Sequence, residues 1–296
     1  MLADKPRWEV EGRDWPHRAA SRFVETDRLR WHVQSFGAGP VLLLLHGTGA
    51  ANHSWRGLAP LLAERFHVIA PDLPGHGFTQ GRPAGGLAMP AMARAVAALC
   101  ATLGVAPALI IGHSAGAATA CRMVLDGAAA PAGIVALGGA LLPFPGLAAK
   151  LFPSLARLLF VNPFAPHLFA GWARQPGEVP RFLERSTGSR IDAAGLSAYA
   201  ALFGTAGHCA GAITMMADWD LERLARDLPR LSAPLLLLHG AADPMVPPSV
   251  SERVAALVPG ARFDTLTGLG HLAHEEAPEA VAVWINAFAD ALAVGA

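Results

Sequence analysis

Pro107-Ala108-Leu109-Ile110-Ile111 runs directly into Gly112-His113-Ser114-Ala115-Gly116, and then into Ala117-Ala118-Thr119-Ala120-Cys121-Arg122-Met123-Val124-Leu125. The first run is short and wholly apolar, as in a parallel strand buried on both faces. The last run is built of small and apolar residues and predicts a helix ending near Gly127. Between them stands a serine with a glycine two residues away on each side, the pattern of a nucleophile elbow. The glycines let the chain turn sharply and let strand and helix approach closely, so that the hydroxyl projects from the carboxyl edge of a sheet. In a chain rich in Gly and Ala the pentapeptide alone arises readily by chance. Its strand–turn–helix setting is what gives it weight.

Outward from this point the same alternation repeats. Residues 41–45, 67–70, 108–111, 133–137 and 234–238 read as buried strands, and 55–65, 91–103 and 115–125 as helices between them. An antiparallel hairpin, 21–24 with 29–34, precedes them around Glu25-Thr26-Asp27-Arg28, and a last strand (262–266) and helix (278–292) follow. The pattern predicts an α/β fold with an eight-stranded, mostly parallel, doubly wound sheet. From 138 to 229 no strand candidate occurs, only helical pieces cut by Pro143, Pro145, Pro153, Pro163, Pro166, Pro176 and Pro180. A structureless loop of that length does not fit a compact domain. The expected organisation is a core of 1–138 and 230–296 with a helical cap, 139–229, inserted into it.

A serine hydroxyl is a weak nucleophile and needs a base, which in turn needs an orienting acid. Asp243 stands just past the strand that ends Leu237-Leu238-His239-Gly240, and His271 follows the last strand in the Gly-flanked turn Gly268-Leu269-Gly270-His271. In isolation Asp243 reads as a turn residue before Pro244, and His271 as a surface histidine. Jointly, in the order Ser114, Asp243, His271 and after the right strands, they read as a catalytic triad. Acyl transfer also needs donors aimed at the developing oxyanion. The turn His46-Gly47-Thr48-Gly49 follows the strand 41–45, and the backbone N–H groups of Thr48 and Ala115 are the expected oxyanion hole. His46 and His76, in Asp72-Leu73-Pro74-Gly75-His76-Gly77, read as loop-holding residues, and His113 as packing beneath the nucleophile.

Charged residues make up 16% of the chain and apolar ones 53%, with a formal net charge of zero and no basic stripe, which argues against a nucleic-acid partner. Cys100, Cys121 and Cys209 have no paired-ligand spacing and read as buried small hydrophobes in a reducing compartment. Neither a secretory signal nor an apolar run of membrane-spanning length is visible, so the expected location is cytoplasmic. The remaining histidines lack metal-ligand spacing and there is no phosphate-cradling glycine loop, so neither metal nor cofactor is expected. The cap segment is rich in aromatics. Phe144, Phe152, Phe160 and Trp172 are the candidate substrate-binding residues, forming an apolar wall over the site. The plainer alternative is that such aromatics pack the cap's own core; membrane-surface contact is disfavoured by the scarcity of Lys and Arg there.

The landmarks at 46–49, 72–77, 112–116, 240–243 and 270–271 together resemble the α/β-hydrolase superfamily from about residue 21 onward, with no triad member replaced. Gly12-Arg13-Asp14-Trp15-Pro16-His17-Arg18, Leu29-Arg30-Trp31-His32-Val33-Gln34 and the stretch from His46 through His53-Ser54-Trp55 are more closely similar to the hydrolase-like accessory proteins of magnesium chelatase. That resemblance implies a role in bacteriochlorophyll synthesis near magnesium insertion, with a tetrapyrrole as the apolar small molecule and magnesium chelatase as a partner. Three functions are therefore in play. The first is a serine hydrolase of an apolar ester. The second is a non-catalytic tetrapyrrole-binding accessory protein. The third, on the similarity of Gly47-Thr48-Gly49-Ala50 to that branch, is a carbon–carbon bond hydrolase.

Overall fold

The computed structural model describes residues 4–143, 162 and 164–295. Strands β1 (Ser21–Thr26), β2 (Leu29–Phe36), β3 (Val41–Leu45), β4 (His67–Pro71), β5 (Gln80–Gly81), β6 (Leu109–His113), β7 (Gly133–Leu137), β8 (Leu235–Gly240) and β9 (Arg262–Leu266) form one sheet. Eight of them lie in the order β1-β2-β4-β3-β6-β7-β8-β9, and the two-residue β5 pairs with β2. All pairings from β4 to β9 are parallel, and β1 and β2 join antiparallel at one edge. This is the α/β-hydrolase fold with its mixed, mostly parallel sheet.

The central strands are buried because their sequences leave no polar face. Successive residues of β3, β6, β7 and β8 feed two cores alternately, as the two-residue repeat of a strand requires. Leu43, Leu45, Ile110, Ile134 and Leu237 pack on one face with the helices Met89–Leu103, Ala115–Leu125 and Pro248–Leu257. Leu42, Leu44, Ile111, Val135 and Leu238 pack on the other with Leu58–Ala63 and Pro278–Ala291. Between β7 and β8 the described residues carry helices and no strand: Ala165–Ala173, Glu178–Thr187, Ala193–Phe203, Ala206–Asp218 and Leu221–Asp227. This is the helical insertion.

The strand order reverses at β3: β4, which follows it in the chain, lies on one side, and β6 on the other. Ligand sites of doubly wound sheets lie outside the carboxyl ends of the strands at such a switch point. Here the switch point brings the turn after β3, residues 46–49, beside the turn after β6, which carries Ser114.

Candidate active site

Ser114 follows β6 directly and precedes the helix Ala115–Leu125. Its φ of 49° and ψ of −114° are a conformation that non-glycine residues rarely adopt, which costs roughly 1–3 kcal/mol and persists only where the surroundings enforce it. Close packing enforces it here. A Cβ on Gly116 would collide with the carbonyl of Leu45, and one on Gly112 with the backbone of Ala117, so both positions demand glycine. The Ser114 N–H donates to the Leu137 carbonyl at 2.9 Å, and its own carbonyl accepts from Ala117 at 3.1 Å and Ala140 at 3.2 Å. The side chain remains partly accessible. Ala115 opens the helix, where the first N–H groups have no intrahelical acceptor.

The loops that carry Asp243 and His271 meet beside this turn. The His271 Nδ1–H donates to Asp243 Oδ2 at 2.6 Å, with both side chains buried. Asp243 Oδ1 accepts the N–H groups of Met245 at 2.8 Å and Val246 at 2.9 Å. Burial alone would raise the Asp243 pKa, but hydrogen bonds from His239 and His271 outweigh it and hold the carboxyl at about 2. Gly138, next to the residue that bonds the Ser114 N–H, brings its backbone against the pair. A Cβ there would lie 3.2 Å from His271 Nδ1 and 3.5 Å from Asp243 Oδ2. His113 ties the elbow to the His271 loop: its Nε2–H donates to the His271 carbonyl at 3.0 Å, and the two rings stand 4.7 Å apart. Burial, reinforced by His274 and His271, pushes the His113 pKa well down and keeps the ring neutral.

The turn after β3 faces the elbow. A Cβ on Gly47 would lie 3.1 Å from Ser114 Cβ and 2.8 Å from His113 Nδ1. His46 holds this turn, its Nδ1–H donating to Gly47 O and its Nε2 accepting from Leu73 N–H, both at 2.8 Å. Asp72 anchors the neighbouring loop by accepting from His32 Nδ1, Asn52 N–H and Phe78 N–H. Thr48 donates its hydroxyl to the Met215 sulfur at 3.5 Å, which sets it against the insertion.

The α/β-hydrolase fold family model matches this sequence over residues 40–278. The chain belongs to the α/β-hydrolase fold family. It is 40% identical over 268 residues to the magnesium-chelatase 30 kDa subunit of Rhodobacter capsulatus, covering 90% of this chain and 93% of that one. A thermophilic esterase from Thermogutta terrifontis superposes with a TM-score of 0.73 at 25% identity, over 92% of this chain and 99% of that one. A lipase described as putative, from Acinetobacter baumannii, superposes with a TM-score of 0.78 over 93% and 92%; at 20% identity this shows the fold alone.

The insertion is joined to the core by several contacts. Trp172 packs on Phe169 and Phe182, with ring centroids 5.1 and 5.7 Å apart, in an apolar cluster that includes Phe203, Ala50 and Leu272. Phe144, Phe152 and Phe160 lie outside the described residues. Among the described residues there is no group of three or more His, Cys, Asp or Glu that could hold a metal, and no single helix long and apolar enough to cross a membrane. All three cysteines are buried, and burial pushes their thiols up, Cys100 to about 11 and Cys121 and Cys209 to about 12.

Two polar groups at the site escape a reading of the sequence. His239 Nε2–H, shared between Val246 O at 2.6 Å and Asp243 Oδ2 at 3.1 Å, is a second donor to Asp243. His208, on the insertion, donates to Gly49 O at 2.9 Å and accepts from Gly77 N–H at 3.1 Å. The signal for His239 was its place at the end of β8, four residues before Asp243; for His208 there was none.

Proposed function

We propose that this protein is a serine-dependent hydrolase of an apolar, ester-like substrate. Ser114 attacks the carbonyl, and His271 takes the hydroxyl proton and gives it to the departing alcohol as the ester bond breaks. A water deprotonated by His271 then cleaves the acyl-enzyme and frees Ser114, while Asp243 fixes the imidazole and stabilises its cation. The N–H groups of Thr48 and Ala115 receive the oxyanion. The observation that carries this reading is the strained elbow at Ser114 beside the buried, 2.6 Å His271–Asp243 hydrogen bond at the carboxyl edge of the sheet. Segment 139–229 is proposed as a cap, with Trp172, Phe144, Phe152 and Phe160 as its apolar contacts to substrate. The test is a fluorophosphonate probe. Wild type labels and Ser114→Ala does not; a folded wild type that fails to label overturns the assignment.

The cytoplasm is the proposed location. The 40% identity to a protein named as a magnesium-chelatase subunit supports a role near magnesium insertion, which the sequence resemblance sets in bacteriochlorophyll synthesis. It also favours a second reading, a tetrapyrrole-binding accessory protein that needs no nucleophile. Titration of protoporphyrin against wild type and Ser114→Ala separates the two. Equal binding by both, without probe labelling, supports the accessory role. Absence of binding below about 100 μM, roughly 5.5 kcal/mol, removes it.

A further inference from the structure

Gly270, His271 and Leu272 carry three consecutive backbone N–H groups, and all three are committed to one neighbourhood. The His271 N–H donates to the Thr187 carbonyl at 2.8 Å. The Leu272 N–H donates to Ser189 Oγ at 2.9 Å, and the Gly270 N–H to Glu276 Oε2 at 2.8 Å. Ser189 in turn donates its hydroxyl to Glu276 Oε2 at 2.7 Å, and Arg190 N–H reaches Glu276 Oε1 at 3.1 Å. Thr187 and Ser189 belong to the turn that ends the helix Glu178–Thr187, within the insertion. Both are buried, so water does not substitute for these bonds. The approach is close enough to require glycines on either side. A Cβ on Gly270 would lie 2.6 Å from both Ser189 Oγ and Thr187 O. One on Gly188, at φ +67°, would lie 2.8 Å from the carbonyl of Ala242, beside the acid.

The base therefore does not stand on its own loop. We infer that the Thr187-Gly188-Ser189 turn, with Glu276, is a positioning device that sets the main chain of His271 and hence the reach of its imidazole toward Ser114. This rests on the hydrolase reading above. The His271 carbonyl is already fixed by His113, and Nδ1 by Asp243, so the N–H side is where the insertion controls the base. Ser189 is the hub, since its hydroxyl accepts from Leu272 while donating to Glu276. Removing it frees two of the bonds that frame His271 and leaves the Thr187 carbonyl contact in place. Displacements of about 1 Å at a reacting group cost on the order of 100-fold in rate.

The test compares wild type, Ser189→Ala, Ser189→Thr and Glu276→Gln. Turnover of p-nitrophenyl butyrate is normalised to the fraction titrated by fluorophosphonate, and the downfield proton NMR signal of the His271–Asp243 hydrogen bond, assigned by its loss in His271→Ala, is recorded for each. The expected result for Ser189→Ala is a kcat about 10- to 100-fold lower with KM within about twofold, and a shifted or broadened downfield signal. Ser189→Thr, which keeps the hydroxyl, returns kcat to within about threefold of wild type, and Glu276→Gln lies between. Unchanged kcat per titrated site in Ser189→Ala overturns the inference, as does a loss not rescued by Ser189→Thr. If Ser189→Ala does not fold, Glu276→Gln decides by the same criteria. If wild type neither labels nor turns over, the hydrolase reading fails; an unmoved downfield signal in Ser189→Ala then separately refutes the positioning.

Discussion

Asp243 Oδ2 accepts from two imidazoles, the Nδ1–H of His271 at 2.6 Å and the Nε2–H of His239 at 3.1 Å, while Oδ1 accepts the N–H groups of Met245 and Val246. A carboxylate is the only side chain of that size with acceptors on both sides. Asp243→Asn replaces one of the two acceptors by an NH2 that must face either the imidazoles or the backbone N–H groups of Met245 and Val246. The expected outcome is a drop of about 10³- to 10⁴-fold in the rate of probe labelling, because His271 is then held in the wrong tautomer. Labelling within tenfold of wild type would show that Asp243 is not the orienting acid. The depressed pKa has a definite sign. A carboxyl at about 2 in the folded protein and near 3.9 unfolded contributes roughly 2 kcal/mol above pH 4, which is lost as pH falls through 2. Ser114 and Asp243 could be picked out in the sequence because each sits just past a strand whose apolar run is unmistakable. His271 could because it lies in a Gly-flanked turn after the last strand, Arg262–Leu266, itself half polar. Ser189 and Glu276 could not, since their bond joins positions 87 residues apart and neither lies in a motif.

At the scale of elements, the buried strands were legible because β3, β7 and β8 are unbroken apolar runs, whereas their ends were not. The strand β6 runs two residues beyond the apolar stretch, through Gly112 to His113, so that Ser114 follows the strand with no intervening loop. Gln80 and Gly81 pair with β2 as a two-residue strand too short to carry any pattern. The helix expected over 55–65 is instead a 3₁₀ turn, Asn52–Trp55, and a shorter helix, Leu58–Ala63, separated at Gly57, where a Cβ would lie 2.9 Å from Pro278 Cγ. The elbow glycines allow a comparison of mechanisms. Gly116→Ala forces the helix Ala115–Leu125 away from the Leu45 carbonyl and is expected to cost about 3 kcal/mol or more in urea unfolding. Gly127→Ala, at φ +69° with nothing within 4 Å, meets only the left-handed backbone penalty of about 1–2 kcal/mol. If the two variants are equally destabilised, close packing is not what the elbow glycine serves.

Across the whole molecule, the fold buries an unusual number of neutral imidazoles around the switch point. Burial first, and neighbouring cations and imidazoles second, push His53, His76 and His113 well below the ordinary value. Burial also lowers His46 against the pull of Asp72, and takes His208 to about 4 and His274 to about 3. His46, His113, His208 and His274 hold neighbouring loops together through hydrogen bonds as neutral rings. His274 Nε2–H donates to Ser54, whose hydroxyl donates to Glu275, which also pairs with Arg56 and accepts from Tyr199 of the insertion. Histidines whose folded pKa is depressed make the native state weaker as pH falls below 6.5, because the unfolded chain takes up protons the folded one refuses. The loss continues until the folded pKa is reached. His208 and His274 alone give a slope of roughly 3 kcal/mol per pH unit in the middle of that window, and His46, His53, His76 and His113 steepen it. A domain with 5–15 kcal/mol of stability has little margin against that. The protein is therefore expected to lose its near-ultraviolet dichroism cooperatively between about pH 6 and pH 4, well above the range in which Asp243 takes up its proton. His208→Gln, which keeps one donor and one acceptor but does not titrate, should shift the midpoint of that transition downward relative to its neutral-pH stability. A midpoint below pH 3.5, or one unmoved by His208→Gln, would mean that the buried imidazoles are not what limits the fold in acid.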